Sequence, residues 1–431
     1  MNKLNNNRLK EFRQLKEEIR GSKEYLIVGI DIAKDKHNAF FGTATGKTLF
    51  KGLVFENNRE GFEKLVVQAE AIKVQNGLKK VVYGMEPTAN YHKPLGEYLI
   101  KGGHGVVLVS GFAVKRNRGT LDGRWDKHDM KDAANVADLI SQGKCQYYEY
   151  PSEGLRDLRN LLSLKRRLKR QEHGMRVRIR NHLIAQYYPE MDGYYGRSER
   201  EGLAVVRWCL SPQVIAGMKY EEFRRLVGGR YRSLCQEQRL RAIWEEAGSS
   251  IGCKVGKAVS FEGKMMGEMV KGIREAIGET EAKIKDICEQ YPSYSYLLTI
   301  PGFGPDVASK VLGAIGDPFR FQRGSQVLNL AGLDLSADRS GRRSEGVTPV
   351  ISKKGKAELR YALYQAALIA SVRNRYFIEY YTNKLRGREK EKGIKTKMRV
   401  KLAAKLLIIA WTLMKKGELF DPEHLNRGYK E

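Results

Sequence analysis

Cysteine is scarce in this chain, with five scattered residues among 431. They form no CxxC pair, and the sequence holds neither an HExxH motif nor a cluster of cysteines and histidines. An odd number of dispersed cysteines does not build a disulfide framework, and their spacing does not match that of zinc ligands. We therefore expect free thiols in a reducing cytoplasm and no zinc site.

Long apolar runs are also missing. The longest apolar stretch, 402–414, is interrupted by Lys405 and is shorter than the roughly 20 residues that a membrane-spanning helix needs. Residues 1–25 are charged throughout and lack the apolar core of a signal peptide. We therefore expect no membrane partner.

Acidic residues are outnumbered by basic ones. The chain has 78 Lys and Arg against 50 Asp and Glu, which gives a formal net charge of +28 at pH 7. Such an excess indicates a polyanionic partner, with nucleic acid as the leading candidate and an anionic membrane surface as the alternative. Hydrophobic residues make up 42% of the chain, which excludes wholesale disorder, and the length favours roughly three domains.

A mixed α/β domain is predicted over 24–150, after a basic helical arm at 1–23. Short runs rich in β-branched residues predict strands, and apolar residues at helical spacing predict helices, in the order β-β-β-α-β-α-β-α. The predicted strands are 25–32, 37–42, 48–56, 80–85 and 105–110, and the predicted helices are 59–75, 92–101 and 129–142.

The rest of the chain is predicted to be helical. Apolar spacing in 155–183 and a seven-residue repeat in 264–290 predict two long helices within a region spanning 151–290. These helices form an antiparallel coiled coil or a dimerisation stalk, with an ordinary helical bundle as the alternative. The insert at 186–257 is mixed helix and loop. The final domain, 291–431, is predicted to contain helices at 306–314, 353–372 and 399–414 and a polar loop at 334–348.

Four carboxylates carry the strongest chemical signal. Asp31 and Glu86 each end a predicted strand, and Asp129 and Asp132 share one face at the start of a predicted helix. Gathered carboxylates repel one another, and Mg²⁺ prefers hard oxygen ligands. We predict a site for Mg²⁺, with Mn²⁺ as the alternative, that serves phosphodiester chemistry. The structural alternative is that these acids are turn residues and helix caps.

Two further segments bear on phosphate chemistry. The turn 300–305 and the helix after it resemble a helix-hairpin-helix, in which Gly302 and Gly304 let backbone amides approach a phosphate. Ser340 lies in a loop with three arginines, and a serine hydroxyl is a poor nucleophile unless it is activated. Taken alone, this serine is better interpreted as a solvated loop residue.

Two basic tracts suit contact with phosphates. Residues 151–185 hold ten Lys and Arg against three acids, and residues 384–401 hold nine against two. Each neutralised phosphate releases counterions, so binding at such tracts depends on salt. The tyrosines between them either stack on bases or pack in a core. These tyrosines are Tyr187, Tyr188, Tyr194 and Tyr195.

The motifs resemble those of the IS110 insertion-sequence transposases. Asp31, Glu86 and the run 129–133 resemble the amino-terminal DEDD domain of that family. The segments that resemble its carboxy-terminal transposase domain are 300–304, 331–333, 340–341, 354–355 and 359–360. The resemblance implies a RuvC-like, RNase H-type domain that binds Mg²⁺ through the four acids. It also implies a serine nucleophile, Ser340 by motif position, which forms a covalent phosphoserine link to DNA.

The resemblance also implies partners. Family members are guided by a structured bridge RNA that pairs with target and donor DNA. They assemble as dimers and tetramers in which the serine of one subunit completes the acidic site of another, inside a bacterial or archaeal cytoplasm at the nucleoid. The predicted nucleic-acid contacts are Lys165, Arg166, Arg167, Lys169, Arg170, Gly302, Gly304, Arg339, Arg342, Arg343, Lys354 and Arg360.

The chain departs from the family pattern just before the serine. Family members have Gly-Leu-x-Pro there, whereas the run 332–335 of this chain is GLDL and lacks the proline. Ser336 and Ser344 are therefore alternative nucleophiles. We predict a DNA recombinase with a serine-DNA intermediate. The alternatives are a RuvC-like junction nuclease without that intermediate, and a non-catalytic nucleic-acid-binding protein.

Overall fold

The structure, a computed structural model, describes residues 3–122, 129–196, 199–228, 233–336 and 350–423. The chain divides into two compact units, Met1–Ser152 and Glu153–Glu431. Within the described ranges, no helix combines the length and the apolar character that crossing a bilayer requires. The four-part domain division stays a prediction.

The amino-terminal unit is a six-stranded mixed sheet with helices on both faces. Its strands are β1 (Tyr25–Asp31), β2 (Lys36–Thr43), β3 (Thr48–Glu56), β4 (Lys80–Met85), β5 (Gly105–Leu108) and β6 (Gln146–Tyr147). Its helices are α1 (Lys3–Glu18), α2 (Arg59–Gln75), α3 (His92–Lys101), α4 (Gly111–Asp122) and α5 (Asp129–Ser141). The strand order is β3-β2-β1-β4-β5-β6. Strand β1 is parallel to β4, and β4 is parallel to β5, whereas β2 and β6 run antiparallel to their neighbours.

Alternation along the central strands sends side chains into two separate cores. Leu26, Val28 and Ile30 of β1 pack on the side covered by α2 and α3, whereas Tyr25 and Ile27 pack on the side covered by α1, α4 and α5. The predicted mixed α/β sheet is confirmed. Sequence analysis missed α4, whose middle is polar, and β6, which is only two residues long.

Helix α5 lies unusually close to the sheet because two glycines face it. Gly29 of β1 and Gly84 of β4 are paired in register. A Cβ atom on Gly29 would collide with the Ala133 carbonyl and the Ala137 amide, and one on Gly84 would collide with the Ile140 side chain. The close approach fixes where the first turns of α5 lie relative to the ends of the strands.

The carboxy-terminal unit is mainly helical, as predicted. Its helices are α6 (Glu153–Arg178), α7 (Ala185–Tyr187), α8 (Asp192–Tyr195), α9 (Glu199–Trp208), α10 (Pro212–Ala216), α11 (Tyr220–Val227), α12 (Leu234–Ala247), α13 (Lys257–Glu289), α14 (Pro292–Leu298), α15 (Pro305–Ile315), α16 (Gly324–Ala331), α17 (Ala357–Arg373), α18 (Arg375–Leu385) and α19 (Ile394–Lys416). A π-helical segment, Ile179–Ile184, follows α6, and two short 3-10 segments are Pro189–Met191 and Pro318–Arg320. Two short strands, β7 (Leu335–Ser336) and β8 (Val350–Ile351), pair antiparallel.

Helices α6 and α13 pack lengthwise against each other within one chain. Leu158 shares a core with Ile284 at one end of the pair, and Ile179 shares a second core with Val270 at the other, so the helices run antiparallel. The predicted antiparallel pairing is therefore found inside the chain, and the role as a dimerisation stalk stays a prediction. The second core also takes in side chains of the insert at 186–257.

Three expectations for this unit need correction. The strands do not stop at residue 151, because β7 and β8 form a small ladder. Helix α17 begins at Ala357 rather than at residue 353, because Lys353 has a left-handed φ of 56° that no α-helix accommodates. Tyr188 and Tyr195 are buried in the second core, so packing rather than base stacking explains them.

Candidate active site

Asp31 and Glu86 lie at the carboxyl ends of adjacent parallel strands. Asp31 is the last residue of β1, and Glu86 follows β4 directly, one step beyond the paired residues Ile30 and Met85. Both side chains are half-buried. Neighbouring strands are about 4.8 Å apart, so the backbone brings these two carboxylates to one place in the sheet.

The same two residues share the face of the sheet that α5 covers. Asp31 lies two residues after Gly29, and Glu86 lies two residues after Gly84, and residues two apart on a strand point to the same side. The Glu86 carboxylate lies against Gly111, the first residue of α4, where a side chain on the glycine would strike its Oε1. The amino-terminal end of a helix favours a negative charge.

Asp132 lies on α5, the helix that packs against this face of the sheet, and is buried. Its Oδ1 accepts a 2.8 Å hydrogen bond from Nε of Arg118 on α4. Asp129 begins α5, but its side chain is outside the described residues. The described side chains include Asp31, Glu86 and Asp132 but omit Asp129, and among them no three of His, Cys, Asp or Glu lie close enough together to hold a metal ion.

The donor chemistry of these residues fits a hard divalent cation. Asp31 and Glu86 at the strand ends and Asp132 on α5 offer carboxylate oxygens, which Mg²⁺ prefers. Arg118 supplies the positive charge next to Asp132 in the structure. The assignment of the four acids as metal ligands stays a prediction.

A buried polar network joins α4 to α5 behind the acids. Asn117 Nδ2 donates to Asn135 Oδ1 at 2.9 Å and to Asp138 Oδ2 at 2.6 Å, and Asn135 Nδ2 donates to the Val114 carbonyl at 2.8 Å. Sequence analysis missed the network. Its signal was readable on α5, where Asp132, Asn135 and Asp138 follow one another at three-residue steps.

His37 of β2 holds the turn that follows Asp31. The imidazole is buried, and its Nδ1 accepts a hydrogen bond from the Ala33 amide at 3.2 Å. Its ring lies against Phe55 and Phe62. Burial lowers the pKa of His37 because the charged form loses its hydration. The neutral ring is therefore a positioning residue for the turn.

Two non-glycine residues have positive φ angles among the described residues, and both lie beside predicted site segments. Ala89, with φ of 45°, lies three residues after Glu86, and Lys353, with φ of 56°, lies next to the motif residues Lys354 and Gly355. Left-handed backbone at such residues costs about 1–2 kcal/mol each. Strain of this kind collects at functional sites, which favours a functional interpretation of both segments.

Three of the motif segments in the carboxy-terminal unit, 331–333, 354–355 and 359–360, contact one another. Gly332 and Gly355 are in backbone contact so close that neither has room for a side chain. The Ser352 amide donates to the Asp334 carbonyl at 2.8 Å, and the β7–β8 ladder lies just beyond. These contacts hold both ends of the segment 337–349. The predicted residues Arg339, Ser340, Arg342 and Arg343, together with the alternative nucleophile Ser344, lie in that segment, outside the described residues.

Comparison with protein families identifies both ends of the chain. Residues 28–189 match the DEDD transposase family model, described as "Transposase", and residues 294–382 match the model described as "Transposase IS116/IS110/IS902 family". The two matches lie in the expected order and together cover more than half of the chain. The chain belongs to the IS110 family of transposases. Transposases of this kind cut and rejoin DNA.

Curated relatives of this IS110 transposase cover nearly its whole length. The insertion element IS116 uncharacterized 44.8 kDa protein of Streptomyces clavuligerus is 23% identical over 404 residues, covering 92% of this chain and 96% of the relative. A pilin gene-inverting protein of Moraxella bovis is 22% identical over 402 residues, covering 93% and 98%. The protein of the same name from Moraxella lacunata is 23% identical over 404 residues, covering 93% and 98%.

The basic residues predicted on α6 of the transposase differ in their surroundings. Lys165 is buried, and its Nζ pairs with Asp306 at 2.6 Å and with Glu281 at 2.8 Å. Because two carboxylates already neutralise this ammonium group, a structural role explains Lys165 better than a phosphate contact. The four other predicted residues on this helix are exposed. They are Arg166, Arg167, Lys169 and Arg170.

The remaining predicted contacts also divide into exposed and structural positions. Gly304, the N-cap residue of α15, is exposed with open space around it, whereas Gly302, with φ of 89°, is packed against the Ala366 carbonyl of α17. Lys354 is exposed. Arg360 donates from Nη1 to the Ala331 carbonyl at 2.8 Å and so supports the backbone beside Gly332.

Proposed function

We propose that this IS110 transposase is a DNA recombinase in which Asp31, Glu86, Asp129 and Asp132 hold Mg²⁺, or Mn²⁺, and Ser340 forms a covalent link to DNA. The observation that carries the proposal is the placement of Asp31 and Glu86. Two adjacent parallel strands end side by side at these residues, on the face of the sheet that α5 covers. The strand order, with β2 antiparallel, further supports an RNase H-like, RuvC-like fold for the amino-terminal unit.

The carboxylates bind and orient, and the serine performs the covalent step. Bound at this site, Mg²⁺ would polarise the scissile phosphate as a Lewis acid and relieve repulsion among the acids. The Ser340 hydroxyl loses its proton to solvent or a basic group, and its Oγ forms a new bond to phosphorus. The bond from phosphorus to a deoxyribose oxygen breaks, and that oxygen takes up a proton. One phosphodiester replaces another, so a second DNA end can reverse the step with the bond energy conserved.

The proposal extends to partners. Target and donor DNA are the substrates. The name of the Moraxella relatives, pilin gene-inverting protein, indicates inversion of a DNA segment, a reaction that requires the same cutting and rejoining. The excess of 28 positive charges suits binding to more than one nucleic-acid strand. Because the chain resembles family members in its motifs, we also propose a structured bridge RNA as its guide and an assembly of dimers into tetramers. The helix-hairpin-helix role of 300–305 belongs to the same proposal.

The test uses a plasmid that carries the element's own ends and the full-length chain with its copurifying nucleic acid. Asp31→Asn should lower strand cleavage by at least about 100-fold, because a lost ligand removes several kcal/mol of stabilisation from the transition state. Ser340→Ala should abolish the protein-DNA adduct that survives detergent, detected by mass spectrometry of the modified peptide.

Matched serine variants make the assignment specific. Ser336→Ala and Ser344→Ala, which alter the serines on either side of Ser340 in the chain, should leave the adduct intact. An adduct that persists in the Ser340→Ala variant would show that another serine is the nucleophile. Cleavage that requires Asp31 but yields no adduct in the parent protein would support the alternative junction nuclease.

A further inference from the structure

The carboxy-terminal unit contains a cavity whose lining is strongly basic. Its volume is about 490 Å³, and it lies between α9, α11 and α13, with Gln236 of α12 at one side. A volume of this size falls within the usual range of ligand pockets. The charged residues that line it are Arg200, Arg207, Arg225, Lys271 and Arg274 against Glu201 and Glu275.

Close packing of α9 on α13 creates one wall of the cavity. A Cβ atom on Gly263 would lie 3.1 Å from the Val206 carbonyl, and one on Gly267 would lie 3.0 Å from Cβ of Arg207. The two glycines are four residues apart and therefore form one smooth strip on α13. Because α9 lies in this strip, its last residue, Trp208, reaches the cavity that Lys271 also lines.

Trp208 is an aromatic residue of the cavity lining, and it is exposed. Its exposed fraction is 47%, whereas that of Trp411 in the carboxy-terminal core is 4%. The Arg207 guanidinium lies 4.7 Å from the centre of the Trp208 ring. An exposed indole beside an arginine in a basic cavity is a platform on which a flat, anion-bearing group can stack.

The cations around this ring differ in how far they are already neutralised. Arg207 lies 3.4 Å from Glu268, and Arg274 pairs with Glu172 at 2.7 Å. Arg200 and Arg225 are exposed and form no ion pair with any described residue. Two arginines therefore remain to take the negative charge of a ligand next to Trp208.

We propose that this cavity binds an unpaired nucleotide of a nucleic-acid strand, with its base stacked on Trp208 and its phosphate held by Arg200 and Arg225. The proposal rests on the proposed recombinase function for the presence of nucleic acid and adds a site that none of the family motifs contains. A base inside a duplex has both faces covered by its neighbours, so the cavity selects single strands, whether ribose or deoxyribose.

The test measures binding of the full-length chain, stripped of nucleic acid at high salt, to labelled oligomers. The probes are oligo(U) and oligo(dT) of about 12 nucleotides, which matches the usual site size for single strands, and a duplex of the same length. Trp208→Ala should weaken single-strand binding about 5- to 100-fold, whereas Trp208→Phe should retain most of it. Comparison of the two oligomers tells which sugar the site takes.

The arginines are tested through the dependence on salt. The double variant Arg200→Gln/Arg225→Gln should lower the slope of log affinity against log salt by about 0.7, since the two arginines hold one phosphate and each phosphate contact on a single strand contributes about 0.7. The matched control, Lys254→Gln/Lys257→Gln, removes the same charge from exposed residues outside the cavity and should change the slope less. Phe261→Ala is the matched aromatic control, because Phe261 is exposed on α13 away from the cavity.

Three outcomes would overturn the inference. They are unchanged single-strand binding in Trp208→Ala, an equal loss for the duplex, or control variants as defective as the cavity variants. Thermal unfolding checks that each variant is folded, and the surface arginine variants decide the question if Trp208→Ala does not fold. The two proposals can fail separately. If cleavage still requires Asp31 but single-strand binding is insensitive to the cavity variants, this inference is overturned and the recombinase proposal stands.

Discussion

The ion pair between Arg118 and Asp132 allows a direct test of the acidic site. Arg118→Met keeps the length of the side chain but removes the donor that lies 2.8 Å from the carboxylate. The Asp132 side chain is only 6% exposed, so it would remain as a buried charge without this partner. Breaking a buried pair costs about 3–5 kcal/mol, and the 21% exposure of the Arg118 side chain favours the lower end, about 3 kcal/mol.

Hydrogen exchange of the α5 amides is the appropriate assay. The chain has two compact units, so a single global unfolding energy is poorly defined, whereas exchange reports on one helix. A loss of about 3 kcal/mol corresponds to protection reduced by roughly 100-fold. Arg116→Met is the matched control. Arg116 is exposed on the same helix, with its guanidinium over the Phe112 ring, and we expect an effect within about 0.5 kcal/mol.

Addition of Mg²⁺ tests the role of the carboxylate. If Asp132 is a metal ligand, the cation should restore protection in Arg118→Met, because it supplies the missing positive charge. The same addition should have little effect in Arg118→Met/Asp132→Asn, which lacks the anionic ligand. Unchanged exchange in Arg118→Met, or equal restoration in the double variant, would refute the assignment of Asp132 to the metal site.

Two further predictions concern the amino-terminal unit. Gly29→Ala should destabilise this unit by about 1–3 kcal/mol in thermal unfolding, since the added methyl group collides with α5. The control, Gly174→Ala, lies in open space on α6 and should stabilise the protein by up to about 1 kcal/mol. A harmless Gly29→Ala would contradict the close packing. Burial lowers the pKa of His37 in the folded protein, whereas a histidine of the unfolded chain has a pKa near 6.5. As the pH falls through about 6.5, the unfolded chain therefore binds more protons than the folded protein, and the folding stability decreases. His37→Asn should therefore lose less stability than the parent between about pH 7 and pH 5 in denaturant titrations, and an equal loss would count against the prediction.

Elements with strong local periodicity could be predicted from the sequence. The strand predicted at 25–32 ends one residue earlier, at Asp31, in the structure, the strand predicted at 80–85 ends at Met85, and the predicted helix at 59–75 is α2. Elements without such a signal were missed. Helix α4 has the polar sequence Lys115–Arg118 in its middle, and β6 exists only because β5 offers an edge for pairing. Local pattern and long-range pairing are separate sources of structure, and only the first is visible along the chain.

The same division applies to the candidate site. The order of the acids at strand ends and at the start of a helix was enough to nominate Asp31, Glu86 and Asp132. The partner of Asp132, Arg118, could not be predicted from that order. Arg118 lies 14 residues earlier on a helix that the pattern did not reveal, and it reaches Asp132 only because α4 and α5 pack together. Lys165 shows the reverse case, since a basic run nominated it for phosphate contact and two distant acids neutralise it.

By itself, the sequence determined the sign of the partner's charge, the alternation of strands and helices in the first unit, and the acids that end those strands. Charge and periodicity are local properties that the chain carries whether or not it is folded. The tertiary structure alone decided which acid Arg118 neutralises, which lysines are buried in ion pairs, and that Trp208 stands exposed in a basic cavity. Each of these depends on surfaces that meet only when helices pack, at distances that residue spacing does not encode.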